Sequence, residues 1–265
     1  HGTALNHLFD GDAHVSGFSF RDGSVVLRSS FIATPERQRE LEAGKMIYGE
    51  CGTLPPGRTA SSPRLEFKNQ PNVNIIHYDG RLLALSEGGH PTAVDPGTLA
   101  YQGRWDFHGT LPPFVPFTAH PKYDPATGEA FGYGVAQGPG MALTVFRMRP
   151  DGRLVKLHTV PQRGYYMIHD MLLSKNHLVF VIPPVQIDLA TVMAGNTSVA
   201  QALRYLEQEP TRLMILRRDG TGEPLVVEQP PSMVFHNGNA YEENGDLVVD
   251  TFLSPDGGVL ELLHA

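Results

Sequence analysis

Short apolar or β-branched runs recur along the whole chain, and many of them are joined by two-residue turn signals. Residues 15–20 and 24–31 flank Asp22-Gly23, and residues 72–78 and 81–87 flank Asp79-Gly80. Asp-Gly and Asn-Gly suit tight hairpins because both residues tolerate the positive φ that such a turn requires. The same arrangement returns at Asp151-Gly152, Asp219-Gly220 and Asn244-Gly245. The pattern predicts a series of β-hairpins.

The number and distribution of these hairpins limit the fold class. A hairpin cannot bury both of its faces alone, so the hairpins must stack against one another. Many short strands with regular turns are typical of a sandwich, a barrel or a propeller. The hairpins are spread over the whole length with longer connections between them, which favours a propeller. We therefore predict one all-β domain over residues 1–265, a β-propeller with short helical insertions.

Two stretches between the hairpins have helical patterns. Residues 34–49 begin with Thr34 as an N-cap and are expected to end near Gly49. Residues 198–210 carry apolar side chains at three-residue spacing and stop at Pro210. Both are predicted to be helices. The apolar, irregular residues 182–195 are predicted to be a packed loop.

Composition and charge exclude some partners. The 265 residues are 41% hydrophobic, which is enough for a sizeable core, and the formal net charge is −7. Without a basic patch, a nucleic acid is not an expected partner. Cys51 is the single cysteine, which fits a reducing compartment, and no apolar stretch reaches the roughly 20 residues of a membrane span. We expect a cytoplasmic location. Because the sequence does not begin with methionine, we also expect it to be part of a longer product.

Three of the twelve histidines stand out by their context. His120 lies in FTAHPKYD, His169 in YYMIHDMLL and His236 in VFHNGNAYEE. Each histidine thus follows a short stretch with apolar or aromatic residues. They are too far apart in sequence for local spacing to bring them together. A propeller can do so, because one edge of every blade borders a common axis. Neutral imidazole binds iron, zinc, copper or nickel. At this level a shared metal site and three separate structural histidines both remain open.

These motifs carry a resemblance to a known family. In order along the chain, the stretches HLFDGDAHVSGFSF, FKNQPNVNIIHYDGRLLALSEGG, FTAHPKYDPATGE, HDMLLSKNHLVF and FHNGNAYEENGDLVVD resemble the carotenoid cleavage oxygenases. The resemblance implies a non-haem iron dioxygenase that uses O2 to split an alkene into two carbonyl fragments. It also implies a seven-bladed β-propeller with Fe(II) on its axis, held by four histidines. His120, His169 and His236 match three of them. His264 does not match the fourth, and we expect the propeller to be incomplete at both ends of this sequence.

The resemblance assigns further roles around the expected iron. Glu87 matches a family carboxylate that accepts the ring N–H of the second histidine, His169, and so directs its other nitrogen to the metal. Residues that flank the matched motifs are expected to line an apolar substrate pocket: Ser86, Phe114, Phe117, Tyr165, Tyr166, Met167 and Phe235. The expected partners are O2 and an apolar alkene. Oligomeric state and peripheral membrane docking stay open.

Two substrate classes fit the resemblance. In the lignostilbene branch, a lysine beside the carboxylate helps to bind a phenolic oxygen, whereas this chain has Ser86 there, with Lys68 nearby in sequence. A serine can hydrogen-bond a phenol but supplies no charge to a phenolate. We therefore favour a carotenoid or apocarotenoid substrate over a lignostilbene or phenylpropene. A propeller that binds a ligand without catalysis is the alternative from another class.

Overall fold

The computed structural model describes residues 2–58, 62, 65–137 and 140–263. Its first part is a hairpin, a helix and a four-stranded antiparallel sheet. In chain order these elements are β1 (His14–Arg21), β2 (Ser24–Phe31), α1 (Pro35–Ala43), β3 (Asn74–Tyr78), β4 (Arg81–Leu85), β5 (Thr92–Val94) and β6 (Tyr101–Arg104). The strands of the sheet lie side by side in sequence order.

A second four-stranded sheet follows with the same strand order. It consists of β7 (Lys122–Tyr123), β8 (Ala130–Gln137), β9 (Met141–Met148) and β10 (Leu154–Gln162). A third such sheet is interrupted between its second and third strands by a small inserted hairpin. Its elements are β11 (Leu172–Leu173), β12 (His177–Ile182), β13 (Val185–Ile187), α2 (Leu189–Met193), a 3-10 helix (Ala200–Ala202), β14 (Leu203–Tyr205), β15 (Thr211–Arg217) and β16 (Leu225–Gln229).

The last described elements form a two-stranded sheet and a short helix. They are β17 (Asn237–Glu243), β18 (Asp246–Thr251) and α3 (Gly258–Glu261). Among the described residues, no helix is both long and apolar enough to cross a membrane.

The predicted hairpins are present at the turn signals. Asp22 and Asp79 have φ of 48° and 50°, the glycines after them also have positive φ, and the two turns join β1 to β2 and β3 to β4. Asn244 has φ of 54° and joins β17 to β18 in the same way. Positive φ at both central residues matches the right-handed twist of the flanking strands. The hairpin prediction is confirmed at these turns.

The sheets pack face to face in chain order, and one strand can contribute to two cores because its alternate residues point to opposite sides. In β12, Leu178 and Phe180 join a core shared with β8 and β9, whereas Val179 and Val181 join a core shared with β17 and β18. The first and second four-stranded sheets share a core that includes Leu83 and Phe146. Each four-stranded sheet therefore buries both of its faces, as the blades of a propeller do.

The structure corrects the helix predictions. The first helix does begin after Thr34, but it ends at Ala43 because Gly44 adopts a left-handed φ of 62° and caps it. Residues 198–210 are not a helix: after one 3-10 turn the chain becomes β14, which pairs with β13. Interstrand hydrogen bonds to residues 185–187 outweigh the helical pattern there. Residues 182–195, predicted to be a loop, contain β13 and α2.

This arrangement places three histidines at equivalent positions. His120 precedes β7, His169 precedes β11 and His236 immediately precedes β17. Each of these strands is the first of its sheet, and β7 and β11 lie at a sheet edge. Three successive sheets thus each bring one histidine to the same edge of the array.

Candidate metal centre

The imidazole rings of His120, His169 and His236 meet in one cluster. Nε2 of His120 lies 3.2 Å from Nε2 of His169. One ring nitrogen from each histidine lies within 4.8 Å of the others. The ring centroids are 4.6, 4.8 and 4.9 Å apart. Residues that are distant in sequence therefore present converging nitrogen atoms.

The carboxylate of Glu87 lies behind His169. Glu87 follows β4, and its Oε1 is 2.7 Å from Nδ1 of His169. This oxygen is buried, and it has no other hydrogen-bond partner among the described residues. Burial raises the pKa of Glu87, and the contact with His169 opposes that change. A proton held on Nδ1 leaves the lone pair of Nε2 directed at the cluster.

The electrostatics of the cluster favour neutral rings at two positions. Burial, followed by the neighbouring His169, lowers the pKa of His120 to about 4. Burial and His169 also lower the pKa of His236. For His169, burial alone would lower the pKa, but the contact with Glu87 raises it. Neutral imidazoles keep the lone pairs that a metal ion requires.

The donor set fits a metal ion of the transition series. Two nitrogen ligands in tetrahedral positions, each about 2.0–2.1 Å from such an ion, lie about 3.4 Å apart. The 3.2 Å separation between the Nε2 atoms of His120 and His169 is close to this value. The described cluster contains three imidazoles and no carboxylate. Imidazole is a ligand that iron, zinc, copper or nickel accepts. The three histidines could therefore hold a metal ion.

A second carboxylate beside the cluster was not singled out by our sequence reasoning. Asp170 is buried and accepts a hydrogen bond from the Lys122 ammonium at 2.7 Å and from the Asn237 N–H at 3.0 Å. Its Oδ2 lies 4.0 Å from Nδ1 of His236. The available signal was the position of these residues in the matched motifs, since Asp170 directly follows His169 and Lys122 follows His120 by two positions.

The residues predicted to line a pocket lie in different surroundings. Phe235 packs edge-on against His169 with centroids 5.6 Å apart, and Phe9 packs against Phe235 at 6.3 Å. Tyr165 is partly buried, and burial together with the nearby charge of Glu87 raises its pKa to about 12. Met167 is half-buried, with its N–H bound to the Val185 carbonyl. A pocket role for these residues stays a prediction.

The other residues predicted to line the pocket differ in burial, and their pocket role also stays a prediction. Phe117 is fully buried in the core between the first two four-stranded sheets, where it packs on Phe107. Tyr166 belongs to the next core, and its hydroxyl donates to Glu209. Phe114 is 90% exposed. Ser86 is buried and donates to the Asn69 side chain.

Removing the carboxylate of Glu87 should weaken metal binding. We expect Glu87→Ala to lower the affinity for Co(II) or Fe(II) by about 10–100-fold, because the tautomer and direction of His169 are then no longer fixed. The metal affinity of Glu87→Gln should lie between those of the unsubstituted protein and Glu87→Ala, since the amide oxygen of glutamine can still accept from Nδ1 of His169. Titration of metal against a competing chelator measures the effect. Glu228→Gln, exposed on β16, is the control, and equal affinities in all four proteins would contradict the assigned role of Glu87.

Comparison with known proteins places the chain in a family. The model of the family RPE65, retinal pigment epithelial membrane protein, matches residues 1–264. The apocarotenoid-15,15'-oxygenase of Synechocystis is 34% identical over 93% of this chain and 52% of its own length. Resveratrol cleavage oxygenase 1 of Aspergillus fumigatus is 34% identical over 93% of this chain and 49% of its own length.

A solved structure of cobalt-substituted Synechocystis ACO matches with a TM-score of 0.87 at 30% identity, over 96% of this chain and 55% of that one. This likeness shows the propeller-type fold. The chain spans about half the length of the curated relatives it matches. From the match over residues 1–264, the chain belongs to the retinal pigment epithelial membrane protein family, within the carotenoid cleavage oxygenases.

Proposed function

We propose that this chain carries the iron-binding part of a dioxygenase that cleaves a C=C bond of an apolar conjugated alkene with O2 and gives two carbonyl products. The observation that carries the proposal is the convergence of one nitrogen atom from each of His120, His169 and His236, in a member of this family. The donor set accepts Fe(II). We also propose that the fold is a seven-bladed propeller with the ion on its axis.

The protein groups have distinct tasks in this reaction. When bound by the three histidines, Fe(II) would supply the redox chemistry that activates O2. His120, His169 and His236 would hold and orient the ion through their imidazoles, which, when neutral, would leave its positive charge uncompensated. Glu87 keeps the Nδ1 proton of His169 in place. Phe235 covers one side of His169 and excludes water from that side, as an apolar alkene requires.

The charges near the site favour an apolar substrate over a phenolate. The Ser86 hydroxyl is buried and bound to Asn69. The Lys68 ammonium is held by Asp12, Glu40 and Glu50, so its charge is already compensated. Neither residue offers a free cation to a phenolic oxygen. An apocarotenoid or another apolar alkene is therefore the favoured substrate.

The second candidate substrate is a phenolic stilbene. The observation in its favour is the 34% identity to a protein named resveratrol cleavage oxygenase. A neutral phenol could still hydrogen-bond a hydroxyl or amide group in the pocket. The alternative without catalysis is a propeller that binds such a ligand and leaves it unchanged.

Iron content and oxygen uptake separate these alternatives. The purified protein should contain iron in near-stoichiometric amount and consume O2 only when an apocarotenal is added, with two carbonyl products by mass spectrometry. Faster turnover of resveratrol than of an apocarotenal would reverse the substrate preference. A protein that binds either compound but consumes no O2 after reconstitution with Fe(II) would support the non-catalytic alternative.

A further inference from the structure

Asp170 is a buried carboxylate at the meeting point of three sheets. Its side chain is 3% exposed, and Oδ1 accepts from the Lys122 ammonium at 2.7 Å and from the Met171 N–H at 2.8 Å. Oδ2 accepts from the Asn237 N–H at 3.0 Å. A carboxylate is rarely buried without such partners, because its desolvation is costly. The donors come from the segments that carry all three histidines.

Each side chain or N–H group in this set of hydrogen bonds lies next to one of the three histidines in the sequence. Lys122 follows His120 by two residues, Asp170 follows His169 directly and Asn237 follows His236 directly. One carboxylate therefore ties the segments that begin β7, β11 and β17. Hydrogen bonds to an ionised group are shorter and stronger than neutral ones, so they define the distances between these segments.

His236 depends most on such a connection. Its side chain is 55% exposed, compared with 10% for His169, so less packing holds its ring. Oδ2 of Asp170 accepts a hydrogen bond from the N–H of Asn237, the residue after His236. The same oxygen lies 4.0 Å from Nδ1 of His236. Loss of this oxygen would free the backbone at Asn237 and the ring together.

The sheets do not need this carboxylate to stay packed. Apolar cores already join the second sheet to the third and the third to β17 and β18. A separate ion pair also joins the second and third sheets, from Arg218 to Asp124. Buried ion pairs add little net stability, but they can specify geometry. The position of Asp170 thus points to alignment of the histidines.

We propose that Asp170, through Lys122 and Asn237, is a positioning residue that sets the mutual spacing of the three histidines and holds His236 in reach of the metal. This proposal rests on the metal binding in the proposed function. Asp170 itself is not assigned as a metal ligand. Its effect is on the affinity and the geometry of the bound ion.

The test uses Co(II) as the probe, because its visible absorption spectrum reports coordination geometry. Asp170→Asn should bind Co(II) at least about tenfold more weakly, as expected when a group that orients a ligand is lost, and with an altered spectrum. Lys122→Met retains the carboxylate and should change both readouts in the same direction by a smaller amount. Asp170→Glu keeps the charge and should recover part of the affinity.

Asp124→Asn is the matched control, because it also weakens an ion pair between the second and third sheets, and its side chain bonds to Arg218, Thr127 and the Ala126 N–H rather than to a residue beside His169 or His236. It should lower the urea midpoint while leaving Co(II) affinity and spectrum unchanged. If Asp170→Asn and Lys122→Met both bind Co(II) with unchanged affinity and spectrum, the positioning role is wrong although the metal site stands. If the unsubstituted protein binds neither Co(II) nor Fe(II), the proposed function fails first.

Discussion

Replacing His120 by alanine should cost the protein its metal and leave its fold intact. Nε2 of His120 lies 3.2 Å from Nε2 of His169 in the cluster. Its loss leaves two imidazoles, one of which is more than half exposed. The reduction in affinity should exceed the roughly 10–100-fold that loss of a group behind a ligand causes. O2 uptake in the presence of an alkene should disappear with the metal.

Metal analysis by inductively coupled plasma mass spectrometry and a Co(II) titration measure this effect. His77→Ala is the control, since His77 is exposed on β3 and outside the cluster. Circular dichroism should show the same strand content in both variants, because the backbone N–H of residue 120 can still donate to the Thr118 hydroxyl. If His120→Ala keeps its iron after dialysis against a chelator, the histidines are not the metal site.

The strand architecture could be predicted because its signals are local. An Asp-Gly or Asn-Gly pair between two apolar runs specifies a turn through the φ values that its own residues tolerate. That is why the turns at Asp22, Asp79 and Asn244 appear as predicted. The alternation of side chains within a strand indicates that a sheet can bury both faces, but only the structure shows which sheets share a core.

The helix prediction for residues 198–210 was wrong for a non-local reason. Residues 203–205 have apolar spacing that a helix could use, but β13 offers them backbone hydrogen bonds from 185–187. No pattern within residues 198–210 reveals that partner. Pairing with a distant strand overrides a moderate helical preference.

The candidate site also contains some residues that the sequence predicted and others that it did not. The three histidines and Glu87 were found because their motifs resemble those of a family, and the structure brings these side chains together. Asp170 and Lys122 were missed because each is unremarkable beside a histidine, and only the fold brings their side chains within 2.7 Å. Spacing along the chain carries no information about a contact between sheets.

Lys68 shows how much a sequence neighbour can mislead. In the sequence it is a cation close to Ser86, and so a candidate for binding a phenolate. In the structure its ammonium lies 2.6 Å from Glu50, 2.9 Å from Glu40 and 3.0 Å from Asp12. The side chains of Lys68, Glu40 and Glu50 are each 2% exposed or less. The network joins the N-terminal segment to α1 and the residues that follow it.

Lys68→Met should therefore destabilise the protein strongly at neutral pH. It leaves two buried carboxylates without their cation, and breaking a buried pair in this way costs about 3–5 kcal/mol. Burial lowers the pKa of Lys68, but its bonds to Glu50 and Glu40 more than reverse that effect and raise it. Its contribution is thus complete below the pKa of an unfolded lysine and is lost only in strong alkali. Urea denaturation at pH 7 measures the loss.

The pH dependence distinguishes loss of charge pairing from loss of packing. Burial acts to raise the pKa of Glu40, but hydrogen bonds from the N–H groups of Ile47 and Tyr48 and from Lys68 lower it in the intact network. Its stabilising effect is therefore present above the unfolded pKa, about 4.3, and disappears as pH falls further. In Lys68→Met, without the lysine, burial favours protonation and the pKa of Glu40 should rise.

The stability deficit of Lys68→Met should therefore shrink between pH 7 and pH 5, as protonation of the folded variant removes the unpaired charge. Lys45→Met, at an exposed position just after α1, should change stability by less than about 0.5 kcal/mol at either pH. A Lys68→Met deficit of the same size at both values of pH would mean that the lost alkyl packing of the lysine, rather than its charge, carries the effect. A deficit no larger than that of Lys45→Met would mean that the three carboxylates do not depend on Lys68 at all.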